Sequence, residues 1–351
     1  MNRRELLAAA AAAAAATARA RSVSADSRGP ALAGANRPEE SHERPGAAPA
    51  AADALNPPHV RVAGIRMLPV AGGRYKVWTK KVGSGPIKVL LLHGGPGFGH
   101  EYLEAFESFL PQAGIEFYYY DQLGCTNSDQ PDDNSLWTLA RYTEEVEEVR
   151  RGLGLDQFVL YGHSWGGILG IEYALNHPQH LRGLVISNMA AGVQAVLKRQ
   201  DYIKRQLPPK TLARLNVLED KHDYDSPEYQ KIMMEELYPK MLCRLNPWPE
   251  PVTRALRHAN DRIYNIMQGK SEFQVSGNLK DWERWDRLGQ IKTKTLTIGA
   301  HYDEMDPEDM KRMASLLPDA SYAYCPNGSH MAMWDDQKAY FTQLIAFLRK
   351  V

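Results

Sequence analysis

The chain is poor in cysteine. Cys125, Cys243 and Cys325 are the only three in 351 residues, and they lie too far apart for metal-ligand spacing. This excludes a disulfide-built scaffold and a cysteine-ligated metal site; buried free thiols are expected, with one disulfide as the alternative in an oxidising compartment. Net charge is also missing. Lys and Arg number 42, as do Asp and Glu, so there is no basic footprint for nucleic acid or an anionic membrane, and small neutral or amphoteric partners are expected. Long hydrophobic runs are absent as well: the alanine stretch from Ala8 to Ala16 is too short to span a bilayer.

What the amino terminus does contain reads as targeting. Arg3-Arg4 precede Glu5-Leu6-Leu7 and the alanine run, and Ala18-Arg19-Ala20 resembles a small-x-small cleavage site. Residues 1–20 are therefore expected to be an export signal of the twin-arginine type, with a periplasmic or secreted location and a cytoplasmic one as the alternative. Residues 21–58 are rich in Ala, Pro, Ser, Arg and Glu without apolar periodicity. Such a segment cannot bury enough surface to offset its ordering entropy, and a disordered linker is expected.

From Val60 to Pro69 and Tyr75 to Val82 the alternation predicts two antiparallel strands joined through Ala71-Gly72-Gly73. The pattern then changes. Val89-Leu90-Leu91-Leu92, Phe117-Tyr118-Tyr119-Tyr120, Phe158-Val159-Leu160-Tyr161, Leu184-Val185-Ile186 and Leu296-Thr297-Ile298 are short apolar runs, as in strands buried on both faces of a parallel sheet. Amphipathic stretches separate most of them, including Thr143 to Leu153, with Val146 and Val149 inward and glutamates outward, and Gln337 to Leu348. Together they predict an α/β fold with a mostly parallel, doubly wound sheet. Between residues 191 and 289 the alternation stops, and Arg199 to Leu218, Pro227 to Leu245 and Pro251 to Met267 read as three helices. Hence a core of 59–190 and 290–351 is expected, interrupted by an all-helical cap at 191–289 over the carboxyl ends of the strands.

The most informative feature is Gly162-His163-Ser164-Trp165-Gly166, between the apolar run at 158–161 and a helical stretch beginning at Gly167. A serine hydroxyl is unreactive at neutral pH; a sharp strand-to-helix turn that exposes it, flanked by small residues, is the setting of a nucleophile. Its partners should follow downstream, each after a late strand. Asp303 follows Thr295 to Ile298, and His330 follows Ala323-Tyr324-Cys325. His330 is expected to take the proton of Ser164 while Asp303 fixes the imidazole tautomer. Asp306, just before Pro307, is better explained as a helix cap, His301 as loop packing, and His163 as structural. The run His93-Gly94-Gly95-Pro96-Gly97 follows a strand, and the N–H groups of Gly95 and Trp165 are the expected oxyanion hole.

These motifs, with Asp121-Gln122-Leu123-Gly124-Cys125-Thr126-Asn127-Ser128, Tyr302-Asp303 and Gly328-Ser329-His330, resemble the proline iminopeptidases, serine aminopeptidases of the α/β-hydrolase fold. The resemblance runs from about Arg61 to the carboxyl terminus. The segments Tyr264 to Phe273 and Gly277 to Trp282 are most similar to the branch holding the tricorn-interacting aminopeptidase and the amino-acid amide hydrolases. Such a resemblance implies that two glutamates, by position Glu272 and Glu304, hold the free α-ammonium of the substrate, since only carboxylates replace well the hydration lost there. The chain departs from the family pattern at Thr126, where a glycine is usual, and carries Trp165 after the nucleophile.

The expected activity is removal of an N-terminal residue, proline first, from short peptides, amino-acid amides or arylamides through an acyl-enzyme, without metal or cofactor. An esterase or lactonase of the same fold, with no free-amine requirement, is the alternative.

Overall fold

The computed structural model describes residues 64–351. The expected export signal and linker lie outside the described residues. Successive side chains of a strand point to opposite faces, and here both faces are buried. Val89 and Leu91 join one apolar cluster with Phe117, Tyr119, Val159 and Val185; Leu90 and Leu92 join a second with Tyr118, Tyr120, Leu160 and Leu184. The strands are β1 Ile65–Val70, β2 Tyr75–Val82, β3 Ile87–Leu92, β4 Ile115–Tyr120, β5 Phe158–His163, β6 Leu181–Ser187, β7 Thr295–Ala300 and β8 Ala320–Cys325. They form one 8-stranded sheet in the order β1-β2-β4-β3-β5-β6-β7-β8. The first two pair antiparallel, β2 pairs antiparallel with β4, and the rest are parallel.

Helices α1 Leu139–Leu153 and α2 Trp165–Asn176 follow β4 and β5. On α1, Val146 and Val149 are buried as the periodicity predicts, but so are Glu145 and Glu147, against the expectation of a solvated acidic face. They are paired rather than wet. Glu145 accepts from Tyr120 and from the Leu123 N–H at 2.6 and 2.9 Å, and Glu147 accepts from Arg150, Arg151 and Tyr173. The three cysteines are buried and unpaired.

Between β6 and β7 the chain is helical but more broken than periodicity suggests. Its helices are α3 Val193–Lys204, α4 Pro209–Asp220, α5 Pro227–Ile232, a π-helical turn Met233–Leu237, α6 Tyr238–Met241, α7 Glu250–Arg257 and α8 Asp261–Met267. The expected helix from Arg199 to Leu218 is interrupted before Pro209, because a residue preceding proline is pushed out of the helical region and proline suits a first turn. Asn260 caps α8 by accepting from the N–H groups of Arg262 and Ile263, which splits the expected helix from Pro251 to Met267. After α8 the chain runs largely without helix to a 3-10 turn at Trp285–Gln290. This helical layer is tied to the loops after β3 and β4. The Asn260 N–H donates to Gly97 O at 2.7 Å and its side-chain amide to Gly124 O at 2.9 Å, while His258 pairs with Glu101 at 2.6 Å. Beyond β7, α9 Pro307–Leu316, α10 Ala332–Asp335 and α11 Gln337–Leu348 complete the chain. Among the described residues no helix is long and apolar enough to cross a membrane.

Candidate active site

β5 runs into α2 with one residue between them, Ser164, held at φ 57° and ψ −127°. A non-glycine residue at positive φ stores strain that the surroundings must maintain. The surroundings here are tight. A Cβ on Gly162 would sit 2.0 Å from Gly166 O, and one on Gly166 would sit 2.2 Å from Leu92 O, so neither position has room for a side chain. The Ser164 N–H donates to Ser187 O at 3.0 Å and its carbonyl accepts from Gly167 at 2.7 Å. Its hydroxyl does not cap α2 and borders the cavity above the sheet.

Asp303 and His330 come to the same place from the loops after β7 and β8. The His330 Nδ1–H donates to Asp303 Oδ1 at 2.8 Å, which leaves Nε2 as the acceptor nitrogen. The acid is fully buried, and its oxygens also accept from the Met305 N–H at 3.1 Å and the Asn188 amide at 2.6 Å. His330 lines the cavity with Ser164. Asp306 instead caps α9, accepting from the Glu308 N–H at 3.0 Å. His301 is exposed and bonds Tyr324.

Gly95 lies between β3 and this cavity at φ 115°, and a Cβ on its neighbour Gly94 would come within 3.0 Å of Ser164 Cβ. Trp165 opens α2, where a backbone N–H has no intrahelical acceptor and the helix dipole favours negative charge. Its indole donates to Gln122 Oε1 at 2.8 Å. A chain of hydrogen bonds ties this loop to the histidine. The Gly94 N–H donates to the Tyr102 hydroxyl at 2.6 Å, that hydroxyl donates to His163 Nδ1 at 3.1 Å, and His163 Nε2–H donates to the His330 carbonyl at 2.8 Å. Burial holds His163 well below the usual histidine pKa, so it stays neutral. The loop departure at Thr126 keeps a left-handed backbone, φ 38°, in place of the usual glycine.

Glu304, beside the acid, is 2% exposed. Its Oε2 accepts from Gln200 at 2.9 Å, and its Oε1 lies 3.8 Å from His330 Nδ1. Glu272, after α8, accepts from the Tyr264 hydroxyl. Both glutamates line the cavity of Ser164 and His330, and Glu272, Gly95 and Ser164 also border an adjoining one. Burial, reinforced by the negative Glu272, raises the Glu304 pKa to about 8. For His330, burial alone would favour the neutral ring, but Asp303, Glu304 and Glu272 outweigh it and raise the pKa to about 9. The site thus gathers three carboxyl groups around one imidazole, and the raised Glu304 pKa means that its charge is held off until a cation or a higher pH favours it. Among the described residues no cluster of His, Cys, Asp and Glu could hold a metal ion.

Some of the machinery is not visible as motifs. Asn188, at φ 54° just past β6, orients Asp303. Arg199 on α3 donates to the carbonyls of Asp303 and His301 at 3.2 and 3.1 Å. For Asn188 the one hint is position, a polar residue immediately after a buried apolar strand; Arg199, inside α3, offers none.

Residues 88–337 match the family model described as the alpha/beta hydrolase fold. The proline iminopeptidase of Flavobacterium johnsoniae is 48% identical over 283 residues, covering 80% of this chain and 95% of that protein. The proline iminopeptidase of Elizabethkingia meningoseptica is 46% identical, covering 81% and 98%. Among solved structures, the proline iminopeptidase of Mycobacterium smegmatis superimposes with a TM-score of 0.75 at 29% identity, covering 82% of this chain and 98% of that one.

Proposed function

The chain belongs to the proline iminopeptidase family of the α/β-hydrolase fold, and on that premise we propose that it is a serine aminopeptidase releasing N-terminal proline from short peptides, and from amino-acid amides and arylamides. The observation that supports this reading is the placing of Glu272 and Glu304 in one cavity with Ser164 and His330. Glu304 is buried and half-buried Glu272 stands near enough to raise its pKa, so charging both carboxyls is costly unless a cation joins them.

In this mechanism the substrate's ammonium docks between Glu272 and Glu304, which aligns the first peptide carbonyl over Ser164. Ser164 Oγ attacks the carbonyl carbon as His330 Nε2 takes its proton, and the N–H groups of Gly95 and Trp165 bind the oxyanion. The imidazolium, held by Asp303, gives its proton to the leaving nitrogen as the C–N bond breaks. Water, deprotonated by His330, then hydrolyses the acyl-serine ester and restores the hydroxyl. Export to the periplasm or beyond is also proposed, on the arginine pair and alanine run of residues 1–20 alone.

The test is a prolyl arylamide with its nitrogen free or acetylated. Hydrolysis is expected of the free form only; equal rates on both would favour an esterase or lactonase with no amine clamp. The pH profile gives a second prediction. His330 must be neutral to act as base, so activity falls as pH drops through its pKa, and the neighbouring carboxylates place that pKa near 9 in the free enzyme. The acid limb of kcat/KM is therefore expected well above the unperturbed value of about 6.5. A bound ammonium offsets Glu304 and Glu272, so the limb seen in kcat should lie lower. Stopped initial-rate profiles of both parameters check this, and a kcat/KM limb at or below that of kcat would contradict it.

A further inference from the structure

Counting hydrogens on the cationic end of the substrate brings one more side chain into the site. The nitrogen of an N-terminal proline carries two N–H donors, whereas every primary α-ammonium carries three. Two carboxylates that each take one N–H leave the third of a tetrahedral nitrogen directed away from both, whatever lone pairs they still hold beyond the bonds from Tyr264 and Gln200. In a closed cavity the third needs its own acceptor, because a buried donor left unpaired bears its full desolvation penalty.

Gln200, on α3, is 1% exposed and lines the adjoining cavity with Glu272, Ser164 and Gly95. Its Nε2 donates to Glu304 Oε2 at 2.9 Å, which fixes the amide by its nitrogen. Its Oε1 is buried and has no hydrogen-bond partner among the described residues. Interior amide oxygens are rarely left so, and each exception calls for a physical reason. Here the bare acceptor belongs to an amide already bonded to one arm of the proposed clamp.

Resting on the reading of Glu272 and Glu304 as that clamp, we infer that Gln200 Oε1 is its third acceptor, engaged by primary ammonium ends and idle with proline, and that it sets how far activity extends beyond proline. In a prolyl substrate the ring carbon bonded to nitrogen occupies the place of the third hydrogen and meets Oε1 without a hydrogen bond. In an alanyl or other primary-amine substrate an N–H fills that place. The two ends of the Gln200 amide therefore do separable work. The nitrogen positions Glu304 for all substrates, and the oxygen serves only those with a third hydrogen.

The experiment compares kcat/KM of the wild type and Gln200→Leu on alanyl, N-methylalanyl and prolyl arylamides. N-methylalanine keeps the alanine side chain and removes one N–H. The substitution is expected to cost the alanyl substrate about 10- to 100-fold more than either of the others, as for a hydrogen bond to a charged group. Equal losses on all three would overturn the inference, and so would a wild type that cleaves the two secondary-amine substrates but no alanyl one. Gln200→Met, close to glutamine in length, replaces the leucine variant if that one does not fold. N-acetylprolyl arylamide is run alongside. If it is cleaved as readily as the free prolyl substrate, the clamp itself fails; an intact amine requirement with uniform losses sinks only the role of Gln200.

Discussion

Ser164→Ala is expected to lower kcat by a factor on the order of 10⁶, as when a serine nucleophile acting with its base is removed. The loss is chemical rather than structural. Alanine keeps the Cβ that packs 3.0 Å from the position a Gly94 side chain would occupy, and the backbone bonds of residue 164 to Ser187 and Gly167 do not involve the hydroxyl. The variant should therefore melt with the wild type and still bind prolinamide. The diagnostic measurement is the acyl-enzyme: hydroxylamine should partition the wild-type reaction to a hydroxamate and find nothing to intercept in the variant. Hydrolysis retained within tenfold would remove Ser164 from the mechanism.

Glu272→Gln is expected to lower kcat/KM for free-amine substrates by roughly 30-fold to several thousand-fold, equivalent to about 2–5 kcal/mol for breaking a desolvated charge pair. Glutamine preserves shape and an acceptor for the Tyr264 hydroxyl, so what disappears is charge. The free enzyme loses a repulsion at the same time, since Glu272 is one of the groups that raise the pKa of Glu304, and the variant should melt no lower than the wild type. Its kcat/KM limb should also move toward neutral pH, because one of the carboxylates holding His330 protonated is gone. The comparison is between a prolyl arylamide and an aryl ester with no amine, both measured at their own pH optima. Loss confined to the amine-bearing substrate is the expected result; equal loss on the ester would make Glu272 a structural residue.

The sheet and the three proposed catalytic side chains were legible for related reasons. β3 to β7 are buried on both faces, so each carries a short, largely apolar run; Ser164 and Asp303 follow two of these, His330 follows the half-exposed edge strand β8, and the three come in the order an α/β sheet requires. What lay across the sheet was hidden. Asn188 reaches Asp303 from 115 residues away, and only the adjacency of β6 and β7 makes them neighbours. The helices over the site were legible as helices but not as pieces, because apolar periodicity carries on through the Pro208-Pro209 break and through the Asn260 cap. Buried glutamates were misleading for a related reason: Glu145 and Glu147 look solvated until Tyr120, Tyr173 and the arginines of α1 are seen to satisfy them. Glu272 and Glu304 are unremarkable carboxylates taken singly, and it was kinship of the surrounding segments that set them apart.

The bond from Asn260 to Gly97 ties the helical layer to the loop that carries Gly95. A Cβ on Gly97 would lie 2.8 Å from Asn260 O, so the two backbones are in contact as well as hydrogen-bonded. On the proposed mechanism, displacing Asn260 would also displace the Gly95 amide, so a peptide too bulky to enter amine-first would meet a site without one of its two oxyanion donors. On that reading, a preference for chain ends over chain middles would be built into a joint between two backbones as well as into the carboxylates.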